Sequence, residues 1–497
     1  MEINNFYTAT VYEKGAEVIR MMYTVLGRER FRRATDLYFD TFDGSAVGTD
    51  DFLWAMESES PVDLTQFKRW YSQERTPVLQ ITTEYSHQKA ELVMKIVQKL
   101  PKNTRDEEQL PYAMPFRMAL ISPEGSEYPL VTQDVLVLHN DVLWLSEYEN
   151  VMTFKDIPMQ PKLSLNRGFS APVIIECDEI DYPFLMAHER DGFVRYEAAH
   201  RFGIETLESI MSTGHIDEGY VKSYGAILLD ETIDPMFKAQ LLELPTITTL
   251  MQRQKVIDVQ AIFDAQERLK KTLAEVYSDL LIEGISRLYE PSNSSIDGIS
   301  MGKRALKNRL LGILMSLGED FGSQICVRHY EESVSMTERL AALDLLENYA
   351  SQNASAALED FYHRYKDQTL VMNKYFAVCA SSRREGTLER VIALQNDTAY
   401  DVKVPNLVRS LIGSFARNPV AFYHKSGAGF RFVADKVIEI DAINPQIASG
   451  LAGAFKNYPK LSHEQKAQMG CELERIKNHQ NISNNVFEIV SKILDAK

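Results

Sequence analysis

A multidomain α+β chain is expected from three features of the sequence. A helical opening covers residues 1–76, a run of short β-branched segments covers 77–176, and the helical period returns at 177 and holds to 497. The corresponding architecture is a helical N-terminal segment, a small antiparallel β-sandwich and a large C-terminal α-solenoid. The 497 residues leave room for about three domains.

In the first region, Val18, Met21, Met22 and Val25 fall on one face of a helix drawn from Glu13 to Leu26. Phe31, Ala34, Leu37 and Tyr38 repeat the pattern over Phe31–Phe39. Asp43-Gly44-Ser45 reads as a turn, and Thr49-Asp50-Asp51 as an N-cap with first-turn carboxylates. A short helix is expected over Asp63–Tyr71, ending before Pro77. Arg28, Arg30, Arg32 and Arg33 are the densest basic run and read as a solvated helix face.

The period then changes. Short strands are expected at 78–82, 91–97, 116–121, 134–138, 142–145, 151–154 and 172–176, with Ser122-Pro123-Glu124-Gly125 as a turn and Lys102–Gln109 as a polar loop. In the third region, helices are expected at Phe193–Ala199, Thr337–Tyr349, Leu358–Tyr365 and Val408–Phe415. Short connections often carry proline, as in Asp234-Pro235, Asn418-Pro419 and Asn444-Pro445. No strict sequence period appears, so the solenoid repeat is expected to be structural only. Gly427-Ala428-Gly429 reads as a loop between helices.

The formal charge of −16, from 54 basic and 70 acidic residues, argues against nucleic acid and anionic membrane as partners. Cys177, Cys326, Cys379 and Cys471 are scattered, with no C-x-x-C pair, which suits a reducing cytoplasm and buried, inert thiols. No apolar run reaches the ~18 residues that cross a bilayer, and no secretory leader is recognisable at the start.

The zinc-hydrolase motif H-E-x-x-H needs two imidazoles on one helix face and a glutamate base. Two of the ten histidines, His188 and His463, are followed by Glu, and Gly192 and Ala467 stand where the second His should be. A P-loop and a G-x-G-x-x-G turn are also missing.

The residues from Asn4 to Met21, with Val11-Tyr12-Glu13-Lys14-Gly15 at their centre, resemble the segment that follows the zinc ligands in the bacterial aminopeptidase N family. Further matches run collinearly through Asp43-Gly44-Ser45-Ala46, Phe67–Gln73, Phe169-Ser170-Ala171-Pro172-Val173, Leu228–Glu231, Arg409–Gly413 and Asn444-Pro445-Gln446. The resemblance implies that residues 1–76 are the helical remnant of a thermolysin-like catalytic domain, followed by the family's β-sandwich and C-terminal helical domain. The family's G-A-M-E-N motif, its H-E-x-x-H helix and its third zinc ligand all lie upstream of Tyr12 in that layout. The start therefore reads as a truncation, and this chain alone is expected to bind no zinc and to hydrolyse nothing. Apolar faces over 1–76 are expected to be partly exposed.

By resemblance, Tyr12 is the transition-state tyrosine, whose phenol donates to the oxyanion of the tetrahedral intermediate. The plainer reading is a half-buried tyrosine at a helix start. Tyr7 matches a residue lining the pocket for the substrate's first side chain, and simple packing is its alternative. Glu13 and Lys14 read as structural. Arg409 and Gln446 match polar residues facing the substrate cavity, where a cation attracts a peptide carboxylate. Gly450 stands where close relatives carry a second arginine. The expected function is the C-terminal portion of a zinc-dependent aminopeptidase. Its partners would be peptides and a further chain carrying the zinc site. The alternatives are a peptide- or protein-binding solenoid and the product of a truncated gene.

Overall fold

The computed structural model describes residues 10–138 and 141–496. By packing, the described residues divide into two compact units, one ending at Arg201 and the other beginning at Phe202.

In the first unit a π-helical turn, Thr10–Lys14, leads into α1 (Gly15–Phe42). Val18, Met21, Met22 and Val25 are buried as their spacing requires, at 0–3% exposure. Gly27 breaks α1 into two arms, with φ 74° and ψ 168°. That backbone conformation is open to glycine and strained for other residues, so the two helical patterns in the sequence are two arms joined at one glycine. The arginine run is exposed, and Arg32 pairs with Asp36 at 2.7 Å on the helix surface.

Helix α2 (Thr49–Glu57) is capped one residue earlier than expected. Gly48 is the N-cap, and its N–H donates to the Asp51 carboxylate at 2.8 Å. Helix α3 (Arg69–Ser72) and the 3₁₀ turn before it, Gln66–Lys68, are shorter than the sequence suggests. The Asp63 carboxylate accepts the Thr65 N–H at 2.7 Å, closing an Asx turn where helix was expected.

The strands are β1 (Val78–Ser86), β2 (Glu91–Lys99), β3 (Met114–Ile121), β4 (Glu127–Tyr128), β5 (Val137–Leu138), β6 (Val142–Leu145), β7 (Glu149–Phe154), β8 (Lys162–Leu165) and β9 (Ile174–Glu176). One sheet has the order β7-β2-β1-β9. The other runs β4-β3-β6-β5, with β8 also on β3. All pairs are antiparallel except β1–β9, which is parallel with Val78 beside Ile174. Leu79 and Ile81 of β1 oppose Gln98 and Ile96 of β2, while β3 is buried along nearly its whole length. Helices and sheets share one core, in which Val18, Met22 and Trp70 join Leu79, Phe116 and Phe154. The Trp70 indole donates to the Ala113 carbonyl at 2.8 Å and packs on Tyr112 at 4.4 Å between centroids. Strands β4 and β8 were not anticipated. Each has only two or four residues, and Pro158 and Pro161 conceal the Leu163/Leu165 alternation. Helices α4 (Tyr182–His188) and α5 (Gly192–Thr213) close the unit, and α5 carries the chain into the next.

In the second unit consecutive helices stack on one another, Glu319–Glu332 on Met336–Tyr349, then Ser351–Tyr365, then Thr369–Ser381. The Asp234-Pro235, Asn418-Pro419 and Asn444-Pro445 pairs are helix starts: each side chain caps N–H groups of the first turn, and proline occupies the first helical position. Gly427 caps a helix with φ 69°, but Gly429 lies inside that helix (Ala428–Asp441), not in a loop. A Cβ on Gly429 would meet the Phe422 carbonyl oxygen at 2.5 Å, so close backbone approach, not a turn, explains this glycine.

Lys307 and Glu338 form an ion pair with both side chains 1% exposed, and Lys307 also lies 5.3 Å from the Tyr289 ring centroid. Breaking such a pair leaves one charge buried, whereas an apolar replacement of both does not. Lys307→Met is expected to lose about 3–5 kcal/mol of stability, and Lys307→Met with Glu338→Leu to recover most of it. Urea unfolding of the two variants is the measurement; a double variant as unstable as the single one would contradict the reading.

Candidate functional site

Tyr12 sits in the π-helical turn Thr10–Lys14, with 59% of its surface exposed. Its neighbours are anchored. The Lys14 ammonium donates to the Arg75 carbonyl at 3.1 Å and stands 5.7 Å from the Trp70 ring centroid; burial there lowers its pKa. The structural role expected of Lys14 is thus met by a backbone carbonyl and an aromatic face.

Two residues past Val18, the Arg20 guanidinium donates to the carbonyls of Gly168 and Phe169 at 2.6 and 2.9 Å, pairs with Glu17 at 2.7 Å and lies 5.3 Å from the Phe169 ring centroid. The loop it grips contains three residues with positive φ: Asn166 (58°), Gly168 (59°) and Phe169 (52°). The Asn166 side chain holds this loop, accepting from Ser170 Oγ and Ala171 N and donating to the Ala171 carbonyl, each at 3.0 Å. Asp191 caps the Gly168 N–H at 3.0 Å. The Phe169-Ser170-Ala171-Pro172-Val173 stretch therefore helps fix the helix that follows Tyr12. Tyr7 lies outside the described residues.

His188-Glu189, one of two H-E pairs that begin the zinc motif without completing it, is structural. Glu189 is 2% exposed and accepts from Arg167 Nη2 at 2.7 Å, and His188 packs on Phe184 at 4.6 Å. Among the described residues no three His, Cys, Asp or Glu side chains group in a way that could hold a metal ion. The residues described here do not fit a catalytic zinc, which needs three protein ligands.

Arg409 and Gln446 lie in the second unit, both exposed. Arg409 opens a π-helical segment, Arg409–Gly413, and donates to Asn406 Oδ1 at 3.1 Å. Gln446 is in the first turn of the Pro445–Ala452 helix. The buried sides of these helices meet in one core through Leu411, Ile412, Ile447 and Leu451, but no hydrogen bond joins Arg409 to Gln446. A Cβ at Gly450 would have no atom within 4 Å, so the missing arginine leaves open space. Tyr12 and Arg409 occupy the two π-helical turns among the described residues. Such turns concentrate at functional sites, and no composition or spacing rule reveals them beforehand.

Sequence reasoning missed a cationic concavity in the second unit. Arg383, Ser414, Arg417 and Asn418 line a cavity of about 320 Å³, and Arg383, Arg384 and His424 line an adjoining one of about 390 Å³ that shares Val420 with it. Arg383 is set by Glu267 on the long Val259–Arg287 helix. That carboxylate receives Arg383 Nη1 at 2.9 Å, Lys270 Nζ at 2.8 Å and the Tyr349 hydroxyl at 2.9 Å. Burial raises the Glu267 pKa, but Lys270, Arg383 and the Tyr349 hydroxyl outweigh it and hold the carboxyl below the ordinary range. Burial, helped by the charge of Arg383, lowers Lys270.

A carboxyl depressed in the fold binds fewer protons than in the unfolded chain, so stability rises with pH across the gap between the two values. This contribution is complete above the unfolded value of ~4.3 and disappears as the pH falls through the folded value. Glu267→Gln is expected to cost about 2–3 kcal/mol near neutral pH and to flatten the acid limb of the stability curve. Urea midpoints measured from about pH 3 to about pH 7 read both effects; superimposable acid limbs would refute the assignment.

A family profile described as "Domain of unknown function (DUF3458_C) ARM repeats" matches residues 179–495, one described as an Ig-like fold (DUF3458) matches 75–178, and one described as "Peptidase family M1 domain" matches 1–71. The chain belongs to the aminopeptidase N family of M1 peptidases and aligns with its C-terminal portion. It is 34% identical to aminopeptidase N of Escherichia coli over 99% of its own length and 58% of that protein's. It is 32% identical to aminopeptidase N of Caulobacter vibrioides over 99% of its length and 57% of that protein's. Its fold matches a crystal structure of Legionella pneumophila aminopeptidase A in complex with aspartic acid, with a TM-score of 0.87 and 27% identity, covering 99% of this chain and 57% of that one. The chain thus spans a little over half the length of the relatives it matches.

Proposed function

We propose that this chain supplies the transition-state tyrosine and the helical domain of a zinc-dependent aminopeptidase that removes N-terminal residues from peptides. The observation that carries the reading is Tyr12 within Val-Tyr-Glu-Lys-Gly, exposed on a turn whose helix is anchored through Lys14 and Arg20. An exposed phenol on a pinned support can donate a preorganised hydrogen bond to a developing oxyanion, which is worth most when the donor need not reorganise.

The family's zinc has no ligand set among the described residues. On this reading another segment, in the same or a second chain, carries the metal. The exposed apolar side chains of Val11, Ile19, Tyr23, Phe39 and Trp54 support a face that such a segment covers. Tyr7 would line the pocket for the first side chain, and Arg409 and Gln446 would meet the rest of the peptide. A cytoplasmic location is supported by four cysteines that are all free. Among the described residues no helix is long and apolar enough to cross a membrane.

A second reading, peptide binding without catalysis, draws support from the cavities lined by Arg383, Arg384 and Arg417, which suit a peptide carboxylate.

Complementation tests the first reading. The chain is mixed with the zinc-bearing N-terminal segment of Escherichia coli aminopeptidase N, and alanyl and lysyl chromogenic substrates are assayed. Activity is expected to appear on mixing, and Tyr12→Phe to lower kcat by roughly 10²–10³ with KM little changed. An active mixture in which Tyr12→Phe leaves kcat intact would remove Tyr12 from the mechanism.

A further inference from the structure

The first unit contains a cavity that takes no part in the reading above. It has a volume of about 250 Å³ and lies among β8, β9, α4 and α5. Its lining is aliphatic where it is deepest: Leu165, Val173, Leu185 and Val194 are each 9% exposed or less. Its charged lining side chains include Glu197 and Arg201, one turn apart on α5, ion-paired at 2.6 Å with side chains 35% and 36% exposed. Arg201 uses only its Nε on Glu197 Oε1. Among the described residues its two Nη groups, and Glu197 Oε2, make no hydrogen bond to the protein. Asn166, also in the lining, is fully engaged with Ser170 and Ala171.

We propose that this cavity binds a free apolar α-amino acid, with the side chain among the aliphatic residues, the ammonium on Glu197 and the carboxylate on the Nη groups of Arg201. Three physical requirements select that class. An aliphatic cavity of roughly 150 Å³ already accepts a benzene-sized group, so this one has room for a leucine or phenylalanine side chain. The opposed charges at Glu197 and Arg201 are each matched only by a ligand that carries both signs close together, and a guanidinium receives a carboxylate through paired N–H groups. The N-terminal residue of a peptide has the ammonium but no α-carboxylate, so it leaves Arg201 unmatched.

Titration calorimetry of the purified chain with L-leucine, leucinamide, isocaproate and glycine tests it. L-leucine is expected to bind saturably and about tenfold or more tighter than leucinamide, which lacks the carboxylate, or isocaproate, which lacks the ammonium. Glycine should bind far more weakly, because it leaves the cavity unfilled. Arg201→Gln should erase the preference for leucine over leucinamide and keep that over isocaproate; Glu197→Gln should do the reverse. Both side chains are about one-third exposed on a helix surface, and unchanged thermal melting of the variants certifies their folding. Absence of saturable leucine binding, equal affinity for all four compounds, or wild-type behaviour of both variants would overturn the proposal.

Discussion

The placement of Tyr12 depends on Arg20 holding the carbonyls of Gly168 and Phe169. Those carbonyls are available because Asn166, Gly168 and Phe169 adopt left-handed backbone conformations. Such geometry costs the non-glycine residues about 1–2 kcal/mol each. It is offset by the Asn166 side chain bonding back to its own loop, by Asp191 capping the Gly168 N–H, and by the two charge-assisted bonds from Arg20. With Arg20 engaged at one end and Lys14 engaged with Arg75 and Trp70 at the other, the start of α1 has little freedom. The apolar side chains below it, Val18 to Leu26, then pack in a single register. The same Phe169 that meets Arg20 also lines the cavity beside α5, so one strained loop serves the support of the tyrosine and the wall of the second site.

The helical unit is held by a different device. A solenoid buries most of its surface between neighbours in sequence, and contacts between distant helices then need specific polar groups. Glu267 is one such group, joining residues 82 and 116 positions away through Tyr349 and Arg383. The hydrogen bond from Ile257 N to the Lys460 carbonyl at 2.9 Å, and that from Lys460 Nζ to the Gln252 carbonyl at 2.7 Å, tie late helices to early ones. These contacts give Arg383 a fixed position in its cavity, which apolar stacking alone would not.

Periodicity made the helical faces and the longer strands readable, because burial of one face imposes a period of 3.6 or 2 on the residues themselves. Where the structure departs from that reading, a local side chain or a distant backbone decides. Asp63 closes a turn in place of a helix, Gly48 and Asp51 move a cap by one residue, Gly429 makes room for the Phe422 carbonyl, and the four residues of β8 are too few to show a period. The sites divide in the same way. Tyr12, Arg409 and Gln446 are proposed from a collinear resemblance, not from physical patterning. The structure places Tyr12 on an anchored turn and leaves Arg409 and Gln446 on exposed helix faces with no bond between them. Glu267, Arg383 and the Glu197–Arg201 cavity were not legible, since their partners meet only through folding or, for the cavity, through packing against β8 and β9.

On the proposed function, Tyr12 serves a metal centre whose ligands lie outside the described residues. Zinc content and hydrolysis of alanyl and lysyl substrates by the purified chain alone, with and without added zinc, test that claim most directly. No tightly held zinc and no hydrolysis are expected; about one equivalent of zinc retained through dialysis together with peptide trimming would contradict the proposed function.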